Sequence, residues 1–176
     1  MRYNIFNQAH RPLKLALLST CISLSKDGEW DLSTAAETIR KVEEVLQVFN
    51  EQVKYESLHI LPFIFEYEPS VWVMYTSEHH KAMNLSYNLE NLIRSFHELK
   101  DAEGRLTLME RISKCFNEFV LNNYNHMDDE EAVLNEILWR YYNDAFIRQI
   151  ENEIYVQPGL VKQHKKTERL QISAAA

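Results

Sequence analysis

Apolar residues recur at intervals of three and four through nearly the whole chain, and 3 Gly and 4 Pro among 176 residues leave little material for turns. That spacing is the period of an α-helix, in which side chains at i, i+3 and i+4 share a face. The first stripe runs Leu13, Leu17, Cys21 and Leu24, and the second Val42, Val45, Leu46, Phe49, Val53, Ile60 and Phe63. The third runs Ala82, Leu85, Leu89, Leu92 and Phe96. The fourth runs Phe116, Phe119, Val120, Met127, Val133, Leu134, Ile137 and Tyr141. Val/Ile/Thr alternation at period two is nowhere sustained, so strands are not expected. Four long helices with short turns predict an all-α chain, an up-down-up-down antiparallel four-helix bundle with a short C-terminal extension.

The breaks between stripes carry turn residues. Lys26-Asp27-Gly28-Glu29 reads as a turn, with Ser33 or Thr34 placed to cap the helix that follows. Glu68-Pro69-Ser70 is a second break and Asp101-Ala102-Glu103-Gly104 a third. Pro62 falls inside the second stripe, where its missing N–H and its ring should kink the helix or end it early. A further short helix is expected from about Ala145 to Tyr155, and Pro158-Gly159 ends the pattern. One domain over residues 1–157 is therefore expected, followed by a charged tail over 158–176 that includes the run from Lys162 to Arg169.

Charge and cysteine usage narrow the function classes. A net charge of −7 offers no basic surface to offset phosphate repulsion, which argues against nucleic acid and anionic membranes. No stretch of about 20 apolar residues is present to span a bilayer, and Met1 to His10 lacks the apolar run of a signal peptide. Cys21 and Cys115 fit no metal-binding spacing and fall on apolar stripes, which predicts buried free thiols in a reducing compartment. A cytoplasmic location follows. No Gly-rich phosphate loop and no Gly-x-Ser-x-Gly elbow occurs, so nucleotide binding and serine hydrolysis find no support.

Ionisable residues interrupt the stripes where core is expected. The fourth reads Phe119, Asn123, His126, Glu130, Leu134 and Ile137, with His126 and Glu130 one turn apart on the inward face. The second reads Phe49, Gln52, Glu56, Ile60 and Phe63, again with a carboxylate turned inward. His79 aligns with Ala82 and Leu89, and His10 stands one turn before Leu13 and Leu17. An inward carboxylate costs several kcal/mol unless it is paired, bound to a cation or protonated. Imidazole plus carboxylate suits iron, manganese or zinc, and two carboxylates can bridge a pair of metals inside a bundle. The same residues also admit plainer readings: His10 bonded to a carbonyl in the core, His126 and Glu130 as a surface pair, or Glu56 neutralised by Lys54 or Arg140.

The segments Ala9-His10-Arg11-Pro12-Leu13, Glu56-Ser57-Leu58-His59-Ile60-Leu61-Pro62, Glu78-His79-His80 and His126-Met127-Asp128-Asp129-Glu130-Glu131 resemble the hemerythrin-like (HHE cation-binding) family. The resemblance covers roughly residues 5 to 145 and is strongest from His126 to Glu131. It implies a di-iron centre within a four-helix bundle, with His10, Glu56, His79, His126 and Glu130 as ligands. The family places a histidine four residues before Glu56, where this chain has Gln52, so one metal position is poorer in ligands. His59, three residues after Glu56, is a candidate replacement, and Glu56-x-x-His59 is also the spacing of ferritin-like di-iron helices. Glu131 is a further candidate ligand, as is His80, although His80 points about 100° away from His79.

Oxygen-carrying members have a histidine one turn after the third-helix ligand, where this chain has Met83. The carboxylate-richer set is more similar to bacterial proteins linked to nitric oxide and iron–sulfur repair. The resemblance thus implies a non-haem iron protein that meets O2, NO or peroxide in stress response, sensing or iron handling. Tyr55, Tyr75, Tyr124 and the tryptophans are candidates to line its cavity. Two further readings are a ferritin-like oxidase or peroxidase built on Glu56, His59, His126 and Glu130, and a degenerate bundle serving as an interaction module.

Overall fold

The computed structural model describes residues 2–25 and 31–156. The turn expected at Lys26-Asp27-Gly28-Glu29 and the tail over 158–176 lie outside them. Most of the described residues are helical, with no strand among them. In chain order the helices are α1 (Asn7–Leu24), α2 (Leu32–Tyr55), α3 (Leu61–Tyr67), α4 (Pro69–Glu98), α5 (Ala102–Asp129), α6 (Asn135–Tyr141) and α7 (Asp144–Val156). α7 matches the short helix expected near the C-terminus. No helix of the described residues is long and apolar enough to cross a membrane.

The ends of the helices follow from capping chemistry. Asp31 caps α2, its side chain accepting from the backbone N–H groups of Ser33 and Thr34, both at 2.8 Å. The cap therefore sits two to three residues earlier than the Ser33 or Thr34 expected from the sequence. Removing it by Asp31→Ala is expected to cost about 1 kcal/mol, read as a lower unfolding midpoint in urea. Asp101 caps α5 by accepting from Gly104 N–H at 2.7 Å. A Cβ at Gly104 would meet Leu99 Cδ2 at 2.6 Å and Asp101 Oδ2 at 2.9 Å, so this close approach suits glycine.

The second and fourth stripes are each interrupted by a π turn, over Glu56–Ile60 and Glu130–Leu134. In the first, the N–H of Leu61 donates to the carbonyl of Glu56, five residues back. Pro62 follows at the start of α3, where a missing donor is tolerated. The wider turn buries Glu56, Ile60 and Leu61 together, and equally Glu130, Leu134 and Asn135. It also rotates the residue three positions after each carboxylate away from the core. Val133, expected in the fourth stripe, is accordingly 38% exposed.

Two apolar clusters result. One gathers Leu13, Leu17, Val42, Phe49, Val53, Ala82, Leu89, Phe119 and Met127 from α1, α2, α4 and α5. The other gathers Ile5, Phe6, Ile60, Ile64, Tyr75, Leu134, Leu138 and Ile147. Arg2 fastens the N-terminal segment to this second end, donating to the carbonyls of Trp139 at 2.9 Å and Tyr142 at 2.7 Å and pairing with Asp144 at 2.5 Å. Along each chain segment the change from one cluster to the other happens across an ionisable residue. His10 lies between Phe6 and Leu13, Glu56 between Val53 and Ile60, His79 between Tyr75 and Ala82, and Glu130 between Met127 and Leu134. A polar layer thus divides the apolar interior.

The cysteines are free and only half-buried, beside the first cluster rather than within it. Cys21 Sγ lies 3.1 Å from Asn117 Oδ1, and burial pushes both thiols upward, which keeps them protonated.

Candidate metal centre

Five ionisable side chains form the polar layer, and all are buried: His10 and Glu130 at 0% exposure, Glu56 and His79 at 2%, and His126 at 7%. Their Nε2 atoms and carboxylate oxygens converge. His10 Nε2 lies 2.9 Å from Glu56 Oε1 and 3.5 Å from Glu130 Oε2. His79 Nε2 lies 3.2 Å from Glu130 Oε1 and 3.5 Å from Glu56 Oε2. His126 Nε2 lies 3.3 Å from Glu130 Oε1. Four helical segments far apart in sequence thus bring together the five residues picked out from the stripes.

The opposite nitrogen of each histidine is held from outside. His10 Nδ1 lies 3.0 Å from Glu131 Oε1, which also accepts from Lys14 Nζ at 2.8 Å. His79 Nδ1 lies 3.0 Å from Ser57 Oγ, and His126 Nδ1 lies 2.8 Å from Glu78 Oε2. A carboxylate on Nδ1 fixes that nitrogen as the N–H and turns the Nε2 lone pair inward, the arrangement by which outer groups orient metal-binding histidines. Ser57, Glu78 and Lys14 are polar residues whose place in the sequence does not mark them as partners of these histidines. Ser57 and Glu78 each neighbour a candidate ligand in sequence, but the histidine each supports sits on another helix.

Electrostatics in the absence of a cation follow from this crowding. Burial disfavours the imidazolium of His79, yet Glu130 and Glu56 outweigh it and raise the group to about 9. His10 and His126 are raised for the same reason, burial being outweighed chiefly by Glu56 for His10 and by Glu130 for His126. Burial likewise opposes ionisation of Glu56, but His10 and His79 hold its carboxyl down at about 2. The carboxylates that favour these imidazolium forms would equally favour a bound cation.

Protons do not satisfy every group. Among the described residues, four buried side-chain polar atoms lack a hydrogen-bond partner, and two of them, His126 Nε2 and Glu130 Oε2, belong to this layer. A buried polar atom left without a partner costs about 1–3 kcal/mol, and a divalent cation would engage the Nε2 lone pair of a neutral His126 and a Glu130 oxygen together. Two sets of three donor atoms lie within 4.8 Å of one another: His79, His126 and Glu130, and His10, Glu56 and Glu130. These buried His/Glu clusters can hold a metal ion. Comparison with protein-family models, with curated proteins and with solved structures finds no match.

The remaining candidates fall outside the converging atoms. His59 does not join them; its ring packs at 5.7 Å from that of Tyr55, because the π turn carries the i+3 position off the face of Glu56. The Glu56-x-x-His59 spacing therefore does not act as a shared ligand face here. His80 is exposed, as is Met83. Gln52 donates to Glu56 Oε1 at 2.5 Å and so orients the carboxylate rather than replacing a histidine. Glu131 stands behind His10. Lys54 is exposed and Arg140 pairs with Glu68, so neither neutralises Glu56. Of the aromatic candidates Tyr75 reaches the layer, its ring 5.7 Å from that of His126. Burial and the nearby Glu130 carboxylate keep its phenol un-ionised. Tyr124 instead donates to the carbonyl of Lys14 and Trp139 to that of Tyr3; Trp30 lies outside the described residues.

Proposed function

We propose that this chain is a hemerythrin-like, non-haem iron-binding protein of the cytoplasm, with the iron held by His10, Glu56, His79, His126 and Glu130. The observation that carries the reading is the convergence of three imidazole Nε2 atoms on two buried carboxylates, with every Nδ1 held from outside. Mixed imidazole and carboxylate ligands suit iron, with manganese or zinc as the competing occupants. A bound iron would supply an open coordination position and redox chemistry toward O2, NO or peroxide, in a sensing, stress-response or iron-handling role. The chain's own contribution is to orient five donors, exclude water with apolar clusters above and below, and place the neutral phenol of Tyr75 beside His126.

The same reading takes α1, α2, α4 and α5 as an antiparallel four-helix bundle within a domain over residues 1–157. Cross-helix pairs support it. Lys14 meets Asp128 while Leu24 meets Ser113, and Ser57 meets His79 while Glu43 meets His97. In both cases one number rises as the other falls, as opposite chain directions require.

Expression in iron-supplemented medium, followed by elemental analysis of the purified chain, tests the proposal. Bound iron near stoichiometric amounts is expected, with loss of most of it in His126→Ala. Iron-loaded protein should also change its visible absorption when nitric oxide is added. Protein free of iron and manganese after such expression would leave the interaction-module reading in its place.

A further inference from the structure

The two π turns belong to a wider internal symmetry. Gln52 and Glu56 near the end of α2 correspond to His126 and Glu130 near the end of α5, each pair four residues apart and each carboxylate opening a π turn. The residue after each carboxylate reaches the Nδ1 of a histidine on another helix, Ser57 to His79 and Glu131 to His10, both at 3.0 Å. His79 and His10 in turn each approach both carboxylates. Exchanging α2 with α5 and α4 with α1 thus maps one half of the site onto the other. The correspondence fails at one donor: an imidazole at position 126 faces an amide at position 52.

That single difference decides what each half can hold. His79, His126 and Glu130 offer two imidazole nitrogens and a carboxylate oxygen, and His126 Nε2 has no hydrogen-bond partner. His10, Glu56 and Glu130 offer one imidazole and two carboxylates. The amide of Gln52 adds no nitrogen donor to this second set. Its N–H group instead occupies a lone pair of Glu56 Oε1, the oxygen that His10 also approaches. Imidazole is a far better donor than an amide to divalent first-row ions, so the half with His126 has one strong donor more.

Building on the metal-binding reading above, we infer that the centre consists of two unequal positions. One ion is held tightly by His79, His126 and Glu130, a second more weakly at His10 and Glu56, and Gln52 is the residue that sets them apart. Glu130 is shared, so filling the first position also fixes the carboxylate that the second needs.

Titration of metal-free protein with Co2+, followed by calorimetry, visible absorption and a count of retained metal after gel filtration, tests this directly. The wild type should take up about one tight equivalent and a second at least roughly tenfold weaker, since losing even an outer partner of a ligand costs about 10–100-fold. Gln52→His should bring the second equivalent close to the first. His126→Gln makes the opposite change and should remove the tight equivalent, leaving two weak ones; it serves equally if Gln52→His does not fold. Two equal equivalents in the wild type would overturn the inequality while leaving the metal centre intact, as would a folded Gln52→His protein whose second equivalent is unchanged. No cobalt uptake by any of the three proteins would overturn the metal-binding reading and this inference with it.

Discussion

Glu130→Ala should destabilise the metal-free protein more than any other single change in the polar layer, and it should also abolish stabilisation by added metal. Glu130 is fully buried and stands 3.2 Å from His79, 3.3 Å from His126 and 3.5 Å from His10. Removing it takes a carboxylate from three buried imidazoles at once and leaves Glu56, near His10 and His79, as the one carboxylate of the five. Breaking a buried ion pair on one side costs about 3–5 kcal/mol, which at ~2–4 °C per kcal/mol for a chain of this size is a fall of roughly 10 °C. Glu130→Gln keeps the volume and loses the charge, so the difference between the two variants separates cavity from electrostatics.

Thermal melts with and without excess Fe2+ under anaerobic conditions read both effects. Metal at 100-fold over its dissociation constant should add about 2.7 kcal/mol to the wild type and nothing to either variant. His59→Ala should keep the full increment, since His59 packs on Tyr55 away from the converging atoms. If Glu130→Ala retained the increment and His59→Ala lost it, the ions would be bound elsewhere and the ligand assignment would fail.

The contrast between Glu130 and His59 also shows what could be read from the sequence alone. Inward carboxylates stand out within apolar stripes because burying a charge is costly, and this identified Glu56 and Glu130 along with the three histidines that meet them. The π turns left almost no local signature. Nothing in Glu130–Leu134 distinguishes bonding five residues back from bonding four back, and only Pro62 marks a break near the first turn. A regular α-helical period therefore puts the positions three after each carboxylate, His59 and Val133, on a face that the π turns rotate them away from. The supports of the histidines were hidden for a different reason. Glu78 adjoins His79 but holds His126, and that pairing depends on how α4 and α5 are registered, which a single strand of sequence does not encode. Gln52 stood out as a gap, but its role as a donor to Glu56 required the geometry.

The loss of stability as pH rises above 6.5 should largely disappear when metal is bound. In the metal-free protein His79 is raised from 6.5 to about 9, so its contribution is complete below 6.5 and is lost as pH rises through 9. His10 and His126 shift in the same direction. Glu56 is lowered from 4.5 to about 2, so its contribution is complete above 4.5 and is lost as pH falls through 2. Metal-free protein should therefore be most stable between 4.5 and 6.5 and should lose roughly 5–10 °C by pH 9, at ~2–4 °C per kcal/mol. A cation requires the same imidazoles in their neutral form, so it must displace their protons, and its binding strengthens as pH rises over that window. The gap between loaded and metal-free midpoints should widen steadily from pH 6.5 to 9, and metal addition at pH 7 should release protons measurable by calorimetry in buffers of different ionisation enthalpy. A gap that stays constant across the window, with no proton release, would mean that the cation does not bind at His10, His79 and His126.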